Sequence, residues 1–235
     1  LAYPYQPIQM TLWQELCQQR KNSYPFTFDR ENTDEIKPQR LIEKIGEMTK
    51  GQAYVATDVG QHQMWVAQYY PFNFGRQIIT SGGLGTMGYG IPAGIGVQFA
   101  HPDKEVIVFV GDGGFQMTNQ EFAILNEFQL NVKFILINNS SLGMVRQWQE
   151  SFHGNRRSAS VFTNHPDFIK LAEAYGIKGT KLSNPATFEA ELEEAFTYKG
   201  PQLIEVVVSS SEHVLPMIPS GMPNHKMIGV SGLSE

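Results

Sequence analysis

Two apolar runs, each ending in a short polar motif, constrain the fold of this 235-residue chain more than any other feature. Val106-Ile107-Val108-Phe109-Val110 leads into Gly111-Asp112-Gly113-Gly114, and Val132-Lys133-Phe134-Ile135-Leu136-Ile137 leads into Asn138-Asn139. Both runs are short, nearly continuous and rich in β-branched or aromatic residues, the pattern of parallel strands covered on both faces. A helical segment, Asn119 to Phe128, is predicted between them. The result is a βαβ unit with polar groups at the carboxyl ends of two strands, where open α/β sheets bind their ligands. Asp112 offers a carboxylate oxygen and Asn139 an amide oxygen, both hard donors of the kind Mg²⁺ takes together with phosphate oxygens and water. The glycines allow backbone N–H groups to approach a phosphate closely. The plainer alternative is two ordinary strand-to-helix turns, in which Gly, Asp and Asn are common for conformational reasons.

The remaining pattern extends the unit. Pro38 opens a helix with an apolar stripe of Leu41, Ile42, Ile45 and Met48. A strand is predicted over Gln52 to Thr57, a turn over Asp58 to Gln61, and a helix from His62 to Tyr70. Glycine-rich Gly82 to Gly90 leads into a helix ending near Ala100. Another helix starts at Gly143, and Ser151 to Thr163 is polar and expected to be mobile. Helix Pro166 to Tyr175, strand Ile177 to Leu182, helix Pro185 to Tyr198 and strand Gln202 to Val208 complete the alternation. It predicts an α/β fold, an open and mainly parallel sheet with helices on both faces. Residues 1–35 read as a linker or arm from a preceding domain, 36–208 as the binding domain, and 209–235 as an irregular tail expected to bury little and to cover the site.

Bulk properties exclude several classes. An apolar fraction of 41% supports a proper core, and a net charge of −5 with no basic stretch argues against nucleic acid. No apolar run has membrane-spanning length and no secretory signal opens the chain, so a cytoplasmic location is expected. The chain opens at Leu1, not methionine, and is read as a piece of a longer polypeptide. A lone Cys17 excludes an internal disulfide and reads as a plain helix-face thiol. The six histidines show no zinc-like spacing.

One motif points elsewhere. Gly83-Leu84-Gly85-Thr86-Met87-Gly88 matches the dinucleotide-binding fingerprint letter for letter, and Asp112 follows at roughly the distance that fingerprint requires. A nicotinamide dehydrogenase is thus a rival reading. Against it, Gln77 to Thr80 is too short for a convincing first strand, and the reading leaves Asn138-Asn139 and the Gly60-Gln61-His62 turn without a use.

Gly-Asp-Gly, a spacer of 24 residues from Gly114 to Ile137, and Asn-Asn resemble the signature of thiamine-diphosphate enzymes. Val59-Gly60-Gln61-His62-Gln63-Met64-Trp65, Ser81 to Gly90 and Leu142-Gly143-Met144-Val145-Arg146-Gln147-Trp148 resemble, more narrowly, the acetohydroxyacid synthase (anabolic acetolactate synthase) family. The likeness runs from about Pro38 to Val214-Leu215-Pro216-Met217 and covers the carboxyl-terminal third of that family's catalytic subunit. It implies that Val59, Gly60, Gln61 and His62 contact the diphosphate, with Gly111, Gly113 and Gly114 offering backbone groups. It implies Mg²⁺ ligation by Asp112, Asn139 and the backbone carbonyl of Ser141. Met87 would bend the cofactor into a V and Gly85 would hold its aminopyrimidine. Met144 and Trp148 would line the substrate pocket, with Met144 also against the cofactor. Read without the family, the plainer alternatives are a capped surface histidine for His62, a core filler for Met87 and, as the more usual case, a helix-face aromatic packed on the core for Trp148.

The resemblance also implies what the chain lacks. The glutamate that protonates the pyrimidine belongs to a missing amino-terminal domain of a second subunit, so no catalytic residue is assigned here, and FAD would sit in a missing central domain. The parent enzyme would join pyruvate to pyruvate or to 2-ketobutyrate for branched-chain amino acid synthesis, as a homodimer or tetramer with a possible small regulatory subunit. Pyruvate oxidase, glyoxylate carboligase and catabolic acetolactate synthase share the Gly-Asp-Gly half, and Gln147-Trp148 argues against the last. The isolated chain is expected to be inactive, and a purely cofactor-anchoring or dimerising module is the non-catalytic alternative.

Overall fold

The computed structural model describes residues 10–229 and divides the chain into two compact units. The smaller comprises, among the described residues, 10–28 and 215–229. It contains helix α1 (Thr11–Ser23), which buries none of its residues, and an antiparallel bridge between Met217 and Ile228.

The larger unit, Asp29–Val214, holds the sheet. Its strands are β1 (Tyr54–Thr57), β2 (Ile78–Thr80), β3 (Val106–Gly111), β4 (Val132–Asn138), β5 (Lys178–Leu182) and β6 (Gln202–Val207). They pair all-parallel in the order β2-β1-β3-β4-β6-β5. The helices are α2 (Pro38–Met48), α3 (Gln61–Tyr69), α4 (Gly90–Ala100), α5 (Asp112–Thr118), α6 (Phe122–Glu127), α7 (Gly143–Phe152), α8 (Phe168–Ala174) and α9 (Phe188–Thr197).

Alternation along the central strands builds the two cores. Ile107, Phe109, Ile135, Ile137, Ile204 and Val206 meet α2, α3 and α9 on one face. Val106, Val108, Val110, Phe134, Leu136 and Leu203 meet α4, α6 and α8 on the other. Full burial of side chains such as Phe109 and Phe134 stabilises the fold by about 1.5–3 kcal/mol each. Helix α2 shows how local sequence serves this. Pro38 fixes its first turn, and Leu41, Ile42 and Ile45 fall on one fully buried stripe.

The α/β class and parallel sheet are as the alternation predicted. Two local readings differ. The helix expected only from Asn119 begins at Asp112, immediately after β3, and a 3₁₀ turn (Asn119–Glu121) separates it from α6. Gly113 and Gly114 are poor helix formers, but contacts demand them: a Cβ on Gly113 would lie 2.6 Å from Leu142 Cδ2, and one on Gly114 2.2 Å from Asp58 Oδ1. The segment before the glycine-rich loop, judged too short, is the three-residue edge strand β2. It is anchored by Gln77, whose buried amide donates to the carbonyls of Gly51 (2.8 Å) and Ala53 (2.7 Å).

The tail was expected to bury little. Its first residues do the opposite: Ser209 and Val214 are buried, and Ser209 N–H donates to Ile36 O at 2.9 Å. Among the described residues no helix is long and apolar enough to cross a membrane.

Candidate functional site

Strand order places the candidate residues together. From β1 the chain crosses outward to β2, whereas from β3 it crosses the other way to β4. The helix following β1 packs on one face of the sheet and those following β3 on the other. The loops leaving β1 and β3 therefore diverge and leave a crevice at their carboxyl ends, the usual ligand position in open α/β sheets. A cleft of about 240 Å³ opens there.

Asp112 forms one wall as the first residue of α5, with only 1% of its surface exposed. Its Oδ1 accepts from the N–H of Gly113 at 2.9 Å, while Oδ2 is buried without a hydrogen-bond partner. Burial pushes the carboxyl up to about 7, outweighing the N–H groups of Gly113, Ser141 and Ser140 that favour its charged form. A buried carboxylate with an orphan oxygen is poised to receive a cation. His165, which sequence reasoning did not single out, brings Nε2 to 3.5 Å from the same Oδ2.

The loop after β4 forms the facing wall. Asn139 Oδ1 accepts from Ser141 N–H and Ser141 Oγ, both at 3.2 Å, an Asx-type turn. Ser140 between them adopts a left-handed φ of 54°, an uncommon conformation for a residue with a side chain. The polar segment expected to be mobile is exposed through Ala159 but then pairs with this loop: Leu142 N–H donates to Ser160 O and Phe162 N–H to Ser140 O, both at 2.9 Å.

The third wall comes from β1 and α3. His62 is buried, which pushes its imidazole down to about 4 despite the nearby carboxylate of Asp58. It is therefore neutral at neutral pH, and its Nε2 has no protein partner. Glycines pack closely around it: a Cβ on Gly60 or Gly111 would lie 3.0 Å from its Cε1, tighter than an ordinary contact. Asp58, also missed from sequence, organises the glycine-rich loop. Its Oδ1 accepts from Gly88 N–H (3.1 Å) and its Oδ2 from Gly90 N–H (2.8 Å).

Of the residues singled out from sequence, Val59, Gly60, Gln61, His62, Gly85 and Met87 line this cleft from the β1 side. Gly111, Asp112, Gly113, Gly114, Asn139, Ser141 and Met144 line it from the β3 and β4 sides. Trp148 does not. It lines a neighbouring surface hollow of about 540 Å³ with Met144, Val145 and Arg156, so Met144 borders both spaces. Trp148 is 45% exposed and meets Phe152 edge-on, which sets aside the reading of a core-packed aromatic. Helix α7 is in fact inside out: it buries Gly143, Arg146 and Gln147 and exposes Val145, Trp148 and Phe152.

The donor set suits a hard cation with a diphosphate. Oxygen ligands are available from Asp112, Asn139 and the Ser141 carbonyl, the buried Asp112 Oδ2 and His62 Nε2 lack partners, and glycines keep the walls low. Among the described residues no cluster of three His, Cys, Asp or Glu side chains forms a metal cage. A cation here would depend on ligand oxygens to complete its shell, the usual habit of Mg²⁺.

Comparison with known proteins agrees with this geometry. The family described as thiamine pyrophosphate enzyme, C-terminal TPP binding domain, matches residues 58–206. The chain is 60% identical over 223 residues to the acetolactate synthase large subunit of Lactococcus lactis subsp. lactis (strain IL1403), covering 95% of this chain and 38% of that protein. It is 45% identical over 217 residues to the acetolactate synthase large subunit of Haemophilus influenzae, covering 92% and 38%. It is 39% identical over 223 residues to the acetolactate synthase isozyme 2 large subunit of Escherichia coli (strain K12), covering 95% and 40%. The chain thus spans about two fifths of the length of these relatives.

Proposed function

The chain belongs to the thiamine pyrophosphate enzymes, as their C-terminal TPP-binding domain, and from that premise we propose that it is the cofactor-anchoring part of an acetolactate synthase. The observation that carries the reading is the convergence of Asp112, Asn139, Ser141 and His62 on one cleft at the sheet's switch point. In this reading Asp112, Asn139 and the Ser141 carbonyl hold Mg²⁺. The N–H groups around Gly113 and Gly114 and the β1 turn at Val59 to His62 hold the diphosphate. Gly85 and Met87 orient the rings. When bound, thiamine diphosphate supplies the carbanion chemistry that lets one 2-keto acid lose CO₂ and join another. The chain's own residues would anchor and orient it.

The reading extends to the whole enzyme: pyruvate with pyruvate or 2-ketobutyrate as substrates, FAD in a separate domain, a dimer or tetramer of catalytic subunits with a small regulatory subunit, and a cytoplasmic setting. As the family resemblance implies, we assign protonation of the pyrimidine ring to a glutamate of another domain. The purified chain is then expected to form no acetolactate from pyruvate with thiamine diphosphate and Mg²⁺, whereas the full-length polypeptide does. Acetolactate from the chain alone would show that this division of labour is wrong.

Trp148 is the proposed selector of the second substrate. Met144 borders both its hollow and the cleft, which places the indole next to the space where a keto acid beside the cofactor would lie. 2-Ketobutyrate and pyruvate differ by one methylene, which an apolar surface can discriminate by about 1–3 kcal/mol, or about 10–200-fold. Trp148→Leu in the full-length enzyme should retain acetolactate formation and lose most of the preference for 2-ketobutyrate, read as the product ratio from mixed substrates. An unchanged ratio, or loss of both products together, would remove the specificity role.

A further inference from the structure

Helix α7 buries a glutamine completely, and that amide begins a chain of contacts that ends at Asn139. Gln147 is 0% exposed on α7's inward face. Its Oε1 accepts from the backbone N–H of Val214 at 2.8 Å and its Nε2 donates to the Val214 carbonyl at 3.0 Å. A backbone N–H can only donate and a carbonyl can only accept, so this pair fixes which end of the Gln147 amide is oxygen.

The same Oε1 accepts from Gln61 Nε2 at 2.9 Å, and that Nε2 also donates to Glu212 O at 3.0 Å. Both of these partners are acceptors, which settles the second amide in turn. Gln61 is left with Oε1 facing Asn139, and it accepts from Asn139 Nδ2 at 3.1 Å. Asn139 therefore has its nitrogen committed to Gln61 and its oxygen on the opposite side, toward the Ser141 turn.

Packing protects the relay. A Cβ on Gly143 would lie 2.0 Å from Gln61 Oε1 and 2.8 Å from Asn139 Nδ2, so only glycine at the start of α7 lets the amides pass. The segment supplying the first contact is itself held. Glu212 accepts from Lys37 Nζ at 2.7 Å and from Gln39 Nε2 at 2.9 Å, and Arg146 Nη2 reaches Glu212 O at 3.2 Å.

We propose that Gln147 and Gln61 are positioning residues that carry a fixed polarity from the Val214 backbone to the Asn139 nitrogen and so, together with the Ser141 N–H on the Asn139 oxygen, hold that amide with oxygen, not nitrogen, available to the metal. An asparagine is nearly symmetric in shape, and a reversed amide would point N–H groups at a cation. A metal site built on Asn needs a device of this kind, which one built on Asp does not. The inference rests on the Mg²⁺-diphosphate reading given above.

The test is Mn²⁺ affinity in the presence of thiamine diphosphate, followed by electron paramagnetic resonance on the full-length protein. Gln147→Leu should weaken Mn²⁺ about 10–100-fold, the range for lost outer-shell support. Gln147→Met, closer in length, serves the same comparison if the leucine variant folds poorly. Gln147→Glu keeps an acceptor for Val214 N–H and for Gln61 but loses the donor to the Val214 carbonyl, and its affinity should fall between Gln147→Leu and the unsubstituted protein.

The decisive step repeats Gln147→Leu in an Asn139→Asp background. There both ligand atoms are oxygen, and a Gln61 freed from Gln147 can turn its NH₂ toward the new carboxylate. Affinity should then stay level or rise. Equal losses in both backgrounds would mean Gln147 merely supports the fold, and no loss in either would mean that the relay does not act. If the unsubstituted protein bound no Mn²⁺, or Asp112→Ala bound it as well as the unsubstituted protein did, the underlying site assignment would fall and the relay with it.

Discussion

Asp112→Ala in the full-length protein is expected to abolish acetolactate formation and to weaken Mn²⁺ binding with thiamine diphosphate by at least about 100-fold, beyond what outer-shell substitutions produce. The same substitution should make the metal-free protein relatively more stable as pH rises. Asp112 holds its proton up to about 7 in the folded state and only to its ordinary value near 3.8 when unfolded. Between those values the folded state binds more protons, so the wild type loses stability with rising pH and a variant lacking the carboxyl does not. The stability difference, variant minus wild type, should grow from pH 5 to pH 8 in urea titrations without metal. A variant that is uniformly destabilised across that range would mean that Asp112 serves the fold. Because the metal takes the deprotonated carboxylate, stabilisation of the wild type by Mg²⁺ with cofactor should also be larger at pH 8 than at pH 5.

Asp58→Ala should produce the largest loss of stability, about 2–6 kcal/mol by chemical denaturation. It strands the buried N–H groups of Gly88 and Gly90, and each orphaned donor costs about 1–3 kcal/mol. The space is tightly defined, since a Cβ on Gly90 would lie 2.6 Å from Asp58 N. Asp58→Asn, which can accept from one N–H but not both, should fall between. Losses under about 1 kcal/mol for Asp58→Ala would mean that the glycine-rich loop holds its course without this carboxylate. Gly85 and Met87 lie in the same loop, so cofactor affinity should fall along with stability.

The strand ends were readable because each carries its evidence within ten residues: a buried run, then a polar turn. Asp112 and Asn139 follow from that reading, and the parallel pairing of β3 with β4 brings them to one sheet edge. Asp58, Gln147 and His165 were not readable as site residues, because what they touch is distant in the chain. Asp58 meets Gly88 and Gly90, Gln147 meets Val214 and Gln61, and His165 approaches Asp112. No local pattern distinguishes a buried glutamine on a helix from an exposed one. In α7 the usual inference reverses, because the buried stripe is polar and the exposed one apolar. The start of α5 was missed because Gly113 and Gly114 argue against helix locally, and only the contacts with Leu142 and Asp58 explain them. The dinucleotide fingerprint, set aside on sequence, has a related local cause. Its last glycine, Gly88, has a φ of 86° and donates its N–H to Asp58, so that position serves the carboxylate, as does Gly90 just beyond the motif.

A crystal of the protein grown with thiamine diphosphate and Mn²⁺ and measured at the manganese absorption edge would locate the metal. One anomalous peak is expected in the cleft at the carboxyl ends of β3 and β4, about 2.1 Å from a carboxylate oxygen of Asp112, the amide oxygen of Asn139 and the carbonyl of Ser141. Diphosphate oxygens should complete its shell. An ordered cofactor with its manganese bound elsewhere, or with Asp112 outside the coordination sphere, would contradict this assignment of the metal ligands.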